Sequence, residues 1–300
     1  MTLHPQAVAA LELWSAGPSP ADPGFGPAEI AAQRQSALAE AALEPKEPVH
    51  RVEDHDADGV RCRLYVPEGA SRVVVFLHGG GFVFGDVDTH DGQARRVANR
   101  TGSAVLAVDY RRPPEHRFPA APDDVDTALR WLAAHASDLG LDGLPVATLG
   151  DSAGGNLALV AALRNPGRLA AAVLVYPFVD ATTSGASYAA TDGGLLEAEA
   201  AWYWSQYAGS PADLADPHLS PYDVPEAELA ALPPVLVQVA EHDTLADEDH
   251  ELGRRIDRAG ATVEVTTYPG MIHGFWRHPE LFDAAEEALA EAAAFLSRHV

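Results

Sequence analysis

The 300-residue sequence is 47% hydrophobic, enough to build a sizeable core, and this excludes global disorder. Its formal net charge of -24, from 44 acidic and 20 basic residues, argues against nucleic acid and anionic membranes as partners. No apolar run reaches the roughly 18 residues of a membrane span, and one cysteine, Cys62, can form neither an intramolecular disulfide nor a cysteine-based metal site.

Met1 to Gln6 lack a basic stretch followed by an apolar one, so no secretory signal is visible and a cytoplasmic location is expected. Lys46 is the only lysine. The acid excess fits adaptation to high salt, whereas a GC-rich genome accounts for the missing lysines but not for the acid excess; neither points to a partner.

In chain order, helical patterning covers Met1 to Pro48, broken by the Gly/Pro-rich run Gly17 to Gly24, with an Ala-rich helix from Ala28 to Leu43. Strands are predicted over 49–53 and 60–66, separated by the turn signal Asp56-Ala57-Asp58-Gly59. Cys62 lies in the second and is read as a structural strand residue. Next come a buried strand over 72–77, a helix over 89–100, a strand over 104–108 and a helix over 122–135. The apolar run 144–149 predicts a strand and 156–163 a helix. Later strands are expected over 171–176, 234–239 and 261–267, with helices over 249–259 and 282–298. Short apolar strands alternating with helices imply a mostly parallel sheet covered on both faces.

Residues 179–222 break that rhythm and carry Trp202, Tyr203 and Trp204 in a helix starting near Glu197. They are read as an excursion above the sheet that packs with the N-terminal helices as a cap. Ordinary packing by a peripheral helix pair is the alternative. The three aromatics are placed to line the acyl or alcohol pocket, but helical aromatics are more often core, so these three are not candidate site residues. The division expected is 1–48 as an N-terminal cap segment, 49–178 with 223–300 as the catalytic domain, and 179–222 as an inserted cap segment.

Gly150-Asp151-Ser152-Ala153-Gly154 fits G-x-S-x-G between a predicted strand and a predicted helix, the context that turns a serine outward as a nucleophile. His78-Gly79-Gly80-Gly81-Phe82 follows the strand 73–77. Its glycines would let a carbonyl approach backbone N–H donors, while His78 is read as orienting the loop. Among thirteen histidines, His273 stands on a loop after a late strand, at the same sheet edge as Ser152, and is the expected base. Asp243, just beyond the strand 235–239, is the favoured acid. Glu241, Asp247, Glu248 and Asp249 compete with it, and His242 beside it complicates the assignment. The order Ser152, Asp243, His273 is that of α/β-hydrolases.

With these residues in place, the chain resembles the bacterial hormone-sensitive-lipase-like esterases from roughly Val73 to Phe275. His78 to Phe82 resembles the family's HGGGF loop, Gly150 to Gly155 its GDSAGG elbow, and Asp109 to Ala120 its DYRLAPEHPFPA segment. Asp243 to Glu248 resembles DPLRDE, and His273-Gly274-Phe275 resembles HGF. The resemblance implies an eight-stranded α/β-hydrolase fold with a helical cap and an oxyanion hole formed by the backbone of Gly80, Gly81 and Ala153. It also implies structural roles for Glu115 and His116. Departures are Thr244 for proline, Ala246 for arginine, and Arg112-Pro113 for leucine-alanine, of which the missing arginine removes a support near the acid.

The expected activity is that of a serine carboxylesterase on short-chain acyl esters, with no metal or organic cofactor implied and a small-molecule ester as partner. A small-amide hydrolase would use the same residues. A ligand-binding module, as in the plant gibberellin receptors of this fold, would have lost the histidine that is present here. Oligomeric state is open: family members are often homodimers, and the acidic charge argues neither way.

Overall fold

Runs of aliphatic and β-branched residues form the middle of an eight-stranded sheet in a computed structural model that describes residues 2–14, 18–190 and 193–300. The strands are β1 (Arg51–Ala57), β2 (Val60–Val66), β3 (Val73–Leu77), β4 (Ala104–Val108), β5 (Val146–Asp151), β6 (Ala171–Val175), β7 (Val235–Ala240) and β8 (Val263–Tyr268), in the order β1-β2-β4-β3-β5-β6-β7-β8. The pairs β1–β2 and β2–β4 are antiparallel, and every pair from β4 to β8 is parallel. The helices are α1 (Pro5–Trp14), α2 (Pro27–Ala41), α3 (Asp91–Thr101), α4 (Ala120–Leu139), α5 (Ala153–Arg164), α6 (Ala186–Ala190), α7 (Glu197–Tyr207), α8 (Glu226–Leu229), α9 (Ala246–Arg258) and α10 (Asp283–His299).

The sheet is covered on both faces, so its inner strands are buried whichever way a side chain points. In β3, Val73, Val75 and Leu77 join a core with Leu132 of α4, Leu157 of α5 and Leu252 of α9. Val74 and Phe76 join the opposite core with Val97 of α3, Leu289 of α10 and Ala10 of α1. Cys62 is fully buried on β2, and burial pushes its thiol up to about 12, in line with a structural role.

β1 starts and ends later than predicted. Its register is set by the two-residue turn Asp58-Gly59, both at positive φ, which pairs Ala57 with Val60. Asp54, His55 and Asp56 are therefore strand residues on a half-exposed edge, where the apolar signal that marks inner strands is not required. α9 starts at Ala246 rather than at Asp249, placing Asp247, Glu248 and Asp249 in its first turn, where carboxylates suit the helix dipole.

Of the Gly/Pro-rich break, Gly17 lies outside the described residues. The stretch 18–26 is a hydrogen-bonded turn rather than a loose link: the Ser19 N–H donates to Asp22 Oδ2 at 2.8 Å and the Asp22 N–H to the Ser19 carbonyl at 2.9 Å. Ser19 Oγ donates to Glu199 Oε1 on α7 at 2.6 Å, and Phe25 meets Trp202 edge-on at 5.4 Å. α2 is anchored by Arg34, which donates to the Val83 and Pro113 carbonyls and pairs with Glu115 at 2.8 Å. α7 turns Trp204 and Tyr207 onto Phe82, with the Tyr207 ring stacked at 3.7 Å. Both helical segments thus contact the glycine loop after β3. No helix among the described residues is long and apolar enough to cross a membrane.

Candidate active site

Three loops at the carboxyl ends of parallel strands carry the predicted residues: Ser152 after β5, Asp243 after β7 and His273 after β8. They converge although 121 positions separate serine from histidine and 30 separate histidine from aspartate. His273 Nε2 lies 3.0 Å from Ser152 Oγ, and His273 Nδ1 lies 2.7 Å from Asp243 Oδ2. Asp243 is fully buried, and its other oxygen accepts the Leu245 N–H at 3.0 Å.

The serine sits at φ 54°, ψ -119°, a strained conformation for a residue with a side chain. Its N–H donates to the Val175 carbonyl at 2.9 Å, and its carbonyl accepts from Asn156 at 3.0 Å and Phe178 at 3.1 Å, so β6 and α5 hold the turn. Gly154 is required by the close approach of the β3 end, since a Cβ there would lie 1.9 Å from the Leu77 carbonyl oxygen.

The loop after β3 lies beside the serine. Gly81 has φ +58°, and a Cβ on it would meet the Tyr203 ring at 2.1 Å. Among the described residues the N–H groups of Gly80 and Gly81 have no acceptor. Ala153 opens α5, where a helix has no internal acceptor for its N–H. His78 orients this loop: its Nδ1 lies 2.9 Å from the Gly79 carbonyl, Tyr110 stacks on it at 4.3 Å, and the Tyr110 hydroxyl donates to its carbonyl at 2.7 Å. Burial lowers the His78 pKa to about 3, so the ring is neutral.

None of the competitors for the acid bonds to His273. Glu241 accepts the Gly270 N–H at 2.7 Å, and Asp247 the Ser187 N–H at 2.9 Å. Glu248 accepts from the Val179 N–H and the Tyr188 hydroxyl. Asp249 is buried with neither carboxylate oxygen partnered among the described residues, and His242 faces Glu241 at 3.7 Å. At the two departures near the acid, Ala246 opens α9 and Thr244 donates to the Leu195 carbonyl of the inserted segment.

A sequence profile of the alpha/beta hydrolase fold matches residues 74–277, the span that carries all of these loops. The chain belongs to the α/β-hydrolase family. Within that family it is 37% identical over 257 residues to an ethyl acetate hydrolase of Pseudomonas putida, covering 82% of this chain and 80% of that one. Esterase LipI of Mycobacterium tuberculosis is 37% identical over 262 residues, 81% of this chain and 82% of its own. Among solved structures, an esterase of Pyrobaculum calidifontis superposes with a TM-score of 0.85 at 36% identity, covering 97% of both chains. A thermostable esterase from Pseudomonas putida gives 0.88 at 30% identity, covering 99% and 98%. The resemblance to hormone-sensitive-lipase-like esterases, read from five short motifs, is borne out.

In this α/β-hydrolase the serine and histidine open into a cavity of about 230 Å³ whose walls the motifs did not identify. Tyr203 and Glu199 of α7, with Phe178 and Leu195, line it, and so does Arg277. The three consecutive aromatics of α7 divide between core and cavity. Trp204 is buried core, Trp202 packs on Phe25, and Tyr203 lines the cavity. The i, i+4 spacing of Glu199 and Tyr203, which puts them on one helix face, was the available signal. Asp151 is buried behind the serine and accepts the Gly79 N–H at 2.9 Å; burial raises its pKa against the opposing pull of Arg277.

Proposed function

We propose that the protein is a serine carboxylesterase acting on short-chain acyl esters through an acyl-enzyme on Ser152. The observation that carries this reading is the Ser152–His273–Asp243 chain of contacts at 3.0 and 2.7 Å. His273 donates from Nδ1 to Asp243, which leaves Nε2 free to accept the Ser152 proton as Oγ attacks the ester carbonyl. The N–H groups of Gly80, Gly81 and Ala153 receive the oxygen that becomes negative, each contributing roughly 2.7–4 kcal/mol. The imidazolium returns its proton to the leaving alcohol, and water then repeats the sequence on the acyl-enzyme.

The preference for short chains rests on the cavity of about 230 Å³ lined by Tyr203, Phe178 and Leu195, below the usual range for drug-sized ligands. The two helical segments, 1–48 and 179–222, serve as the cap over it. Their mutual contacts, Ser19 to Glu199 and Phe25 to Trp202, support that assignment.

The test is hydrolysis of 4-nitrophenyl esters from acetate to palmitate, with Ser152→Ala alongside. Turnover on the shorter esters, abolished in the variant, is expected. No turnover of any ester by folded protein would remove the reading, and a preference for long chains would remove the size limit.

A further inference from the structure

Acidic residues outnumber basic ones more than two to one, so a guanidinium without a partner is unexpected anywhere in this molecule. Most arginines are engaged: Arg61 and Arg63 pair with Asp54 and Asp88, while Arg117 and Arg255 hold backbone carbonyls. Arg277 is different. Its backbone is pinned, the N–H donating to the Gly274 carbonyl at 3.1 Å and the carbonyl accepting from Arg96 at 3.5 Å. Its guanidinium makes no hydrogen bond or ion pair with any described residue. It is only partly exposed, and it lines the same cavity as Ser152 and His273.

The other charges at that cavity do not satisfy it. Glu199 is already held at both oxygens, by Ser19 Oγ at 2.6 Å and the Leu196 N–H at 3.0 Å. Asp151 lines the cavity too, but it is buried, accepts the Gly79 N–H and does not reach ion-pair distance from Arg277. Arg277 also walls a neighbouring cavity of about 350 Å³ with Glu44, Glu47 and Glu280, none of which reaches ion-pair distance from it. The charge of Arg277 is nonetheless felt at Asp151, Tyr176 and Tyr203, all three of which line the reaction cavity. A planar fork of donors, partly desolvated and without an internal acceptor, is suited to a carboxylate.

We propose that Arg277 is a specificity residue that selects esters carrying a carboxylate, such as the monoester of a dicarboxylic acid or the acyl ester of a hydroxy acid. This rests on the reading of Ser152 as the reacting nucleophile. Recognition must act at short range, because the net charge of -24 repels an anion from a distance. The carboxylate takes no part in bond making. It docks on the guanidinium while the ester group lies between Ser152 and the donors of Gly80, Gly81 and Ala153.

The experiment measures kcat/KM for two matched pairs on the wild type, Arg277→Met and Arg277→Lys. Ethyl hydrogen succinate against ethyl butyrate places the charge on the acyl side. 4-Acetoxybenzoate against 4-methylphenyl acetate places it on the alcohol side. Intrinsic reactivity cancels when the anionic-to-neutral ratio is compared between proteins. In Arg277→Met the ratio is expected to fall for one pair by about tenfold to a hundredfold, the span of a charge-assisted contact, mainly through KM. Arg277→Lys should restore most of it, and the pair that responds tells which side of the ester carries the carboxylate. A structural role for Arg277 would move both members of each pair alike; unchanged ratios in both pairs overturn the proposal. Titration of ethyl hydrogen succinate and 4-acetoxybenzoate into Ser152→Ala and Ser152→Ala/Arg277→Met reads binding without turnover. Equal affinities of the two proteins for both esters would likewise overturn it. Failure of the esterase reading shows separately, as absence of Ser152-dependent turnover on the neutral esters.

Discussion

At Ser152 the backbone sits where a side chain is disfavoured, at an expected cost of about 1–3 kcal/mol, and the surrounding hydrogen bonds to Val175, Asn156 and Phe178 keep it there. The strain points Oγ at His273, whose orientation depends on Asp243. Asparagine at 243 keeps the shape but can present an N–H to Nδ1, which favours the tautomer that cannot accept the serine proton. Asp243→Asn should therefore lower kcat by about 10³–10⁴-fold with KM little changed. Steady-state kinetics on a short ester check this, and a loss smaller than about tenfold would return the role to one of the neighbouring acids. The sequence favours Asp243 among five acids near that position, by its place just beyond β7, and the fold adds its burial and its contact with His273.

Helices in this molecule divide their faces more finely than core against solvent. α7 buries Trp204 and Tyr207 and turns Glu199 and Tyr203 to the cavity, so one run of aromatics serves both purposes. α9 carries Glu248 and Asp249 inward. Burial raises both carboxyl pKa values well above the ordinary range, and Asp249 has no partner among the described residues. A carboxyl whose folded pKa is raised contributes its stability below the unfolded pKa, and that stability is lost as pH rises through the folded value. Asp249→Asn removes the titration, so it should stabilise the protein by about 1–3 kcal/mol near neutral pH. The gain should shrink as pH falls toward about 4, where the unfolded carboxyl is also protonated. Thermal melts across that range decide it: a variant less stable than wild type at every pH would mean that Asp249 is paired and charged.

For the whole molecule the dominant electrostatic fact is a net charge of -24. Surface ion pairs such as Arg100–Glu47 and Arg298–Glu264 weaken in salt, but exposed pairs contribute only about 0–1 kcal/mol each. Self-repulsion among the excess carboxylates is also screened, within a Debye length of roughly 10 Å at 0.1 M and roughly 3 Å at 1 M salt. The second effect should win, raising Tm by about 2–6 °C between low salt and molar potassium chloride. Calorimetry at fixed pH is the check; a flat or falling Tm would mean the ion pairs outweigh the repulsion.

By itself the sequence determined the parts of this protein written in short-range chemistry. Gly80 and Gly81 of the His78 loop, both at positive φ, answer a steric demand of their own backbone, and the aliphatic runs of β3, β4 and β6 answer burial on two faces. Both leave marks within a few residues. The edge strand β1 left a weaker mark, because a half-exposed strand pinned by its turn needs few apolar residues. The tertiary structure alone decided that Tyr203 and Glu199 wall the cavity, that Asp249 is buried without a partner among the described residues, and that Arg277 stands at that cavity with none either. Each of these depends on loops and helices far apart in the chain reaching one place, and a side chain's partners are set by that convergence rather than by its neighbours in sequence.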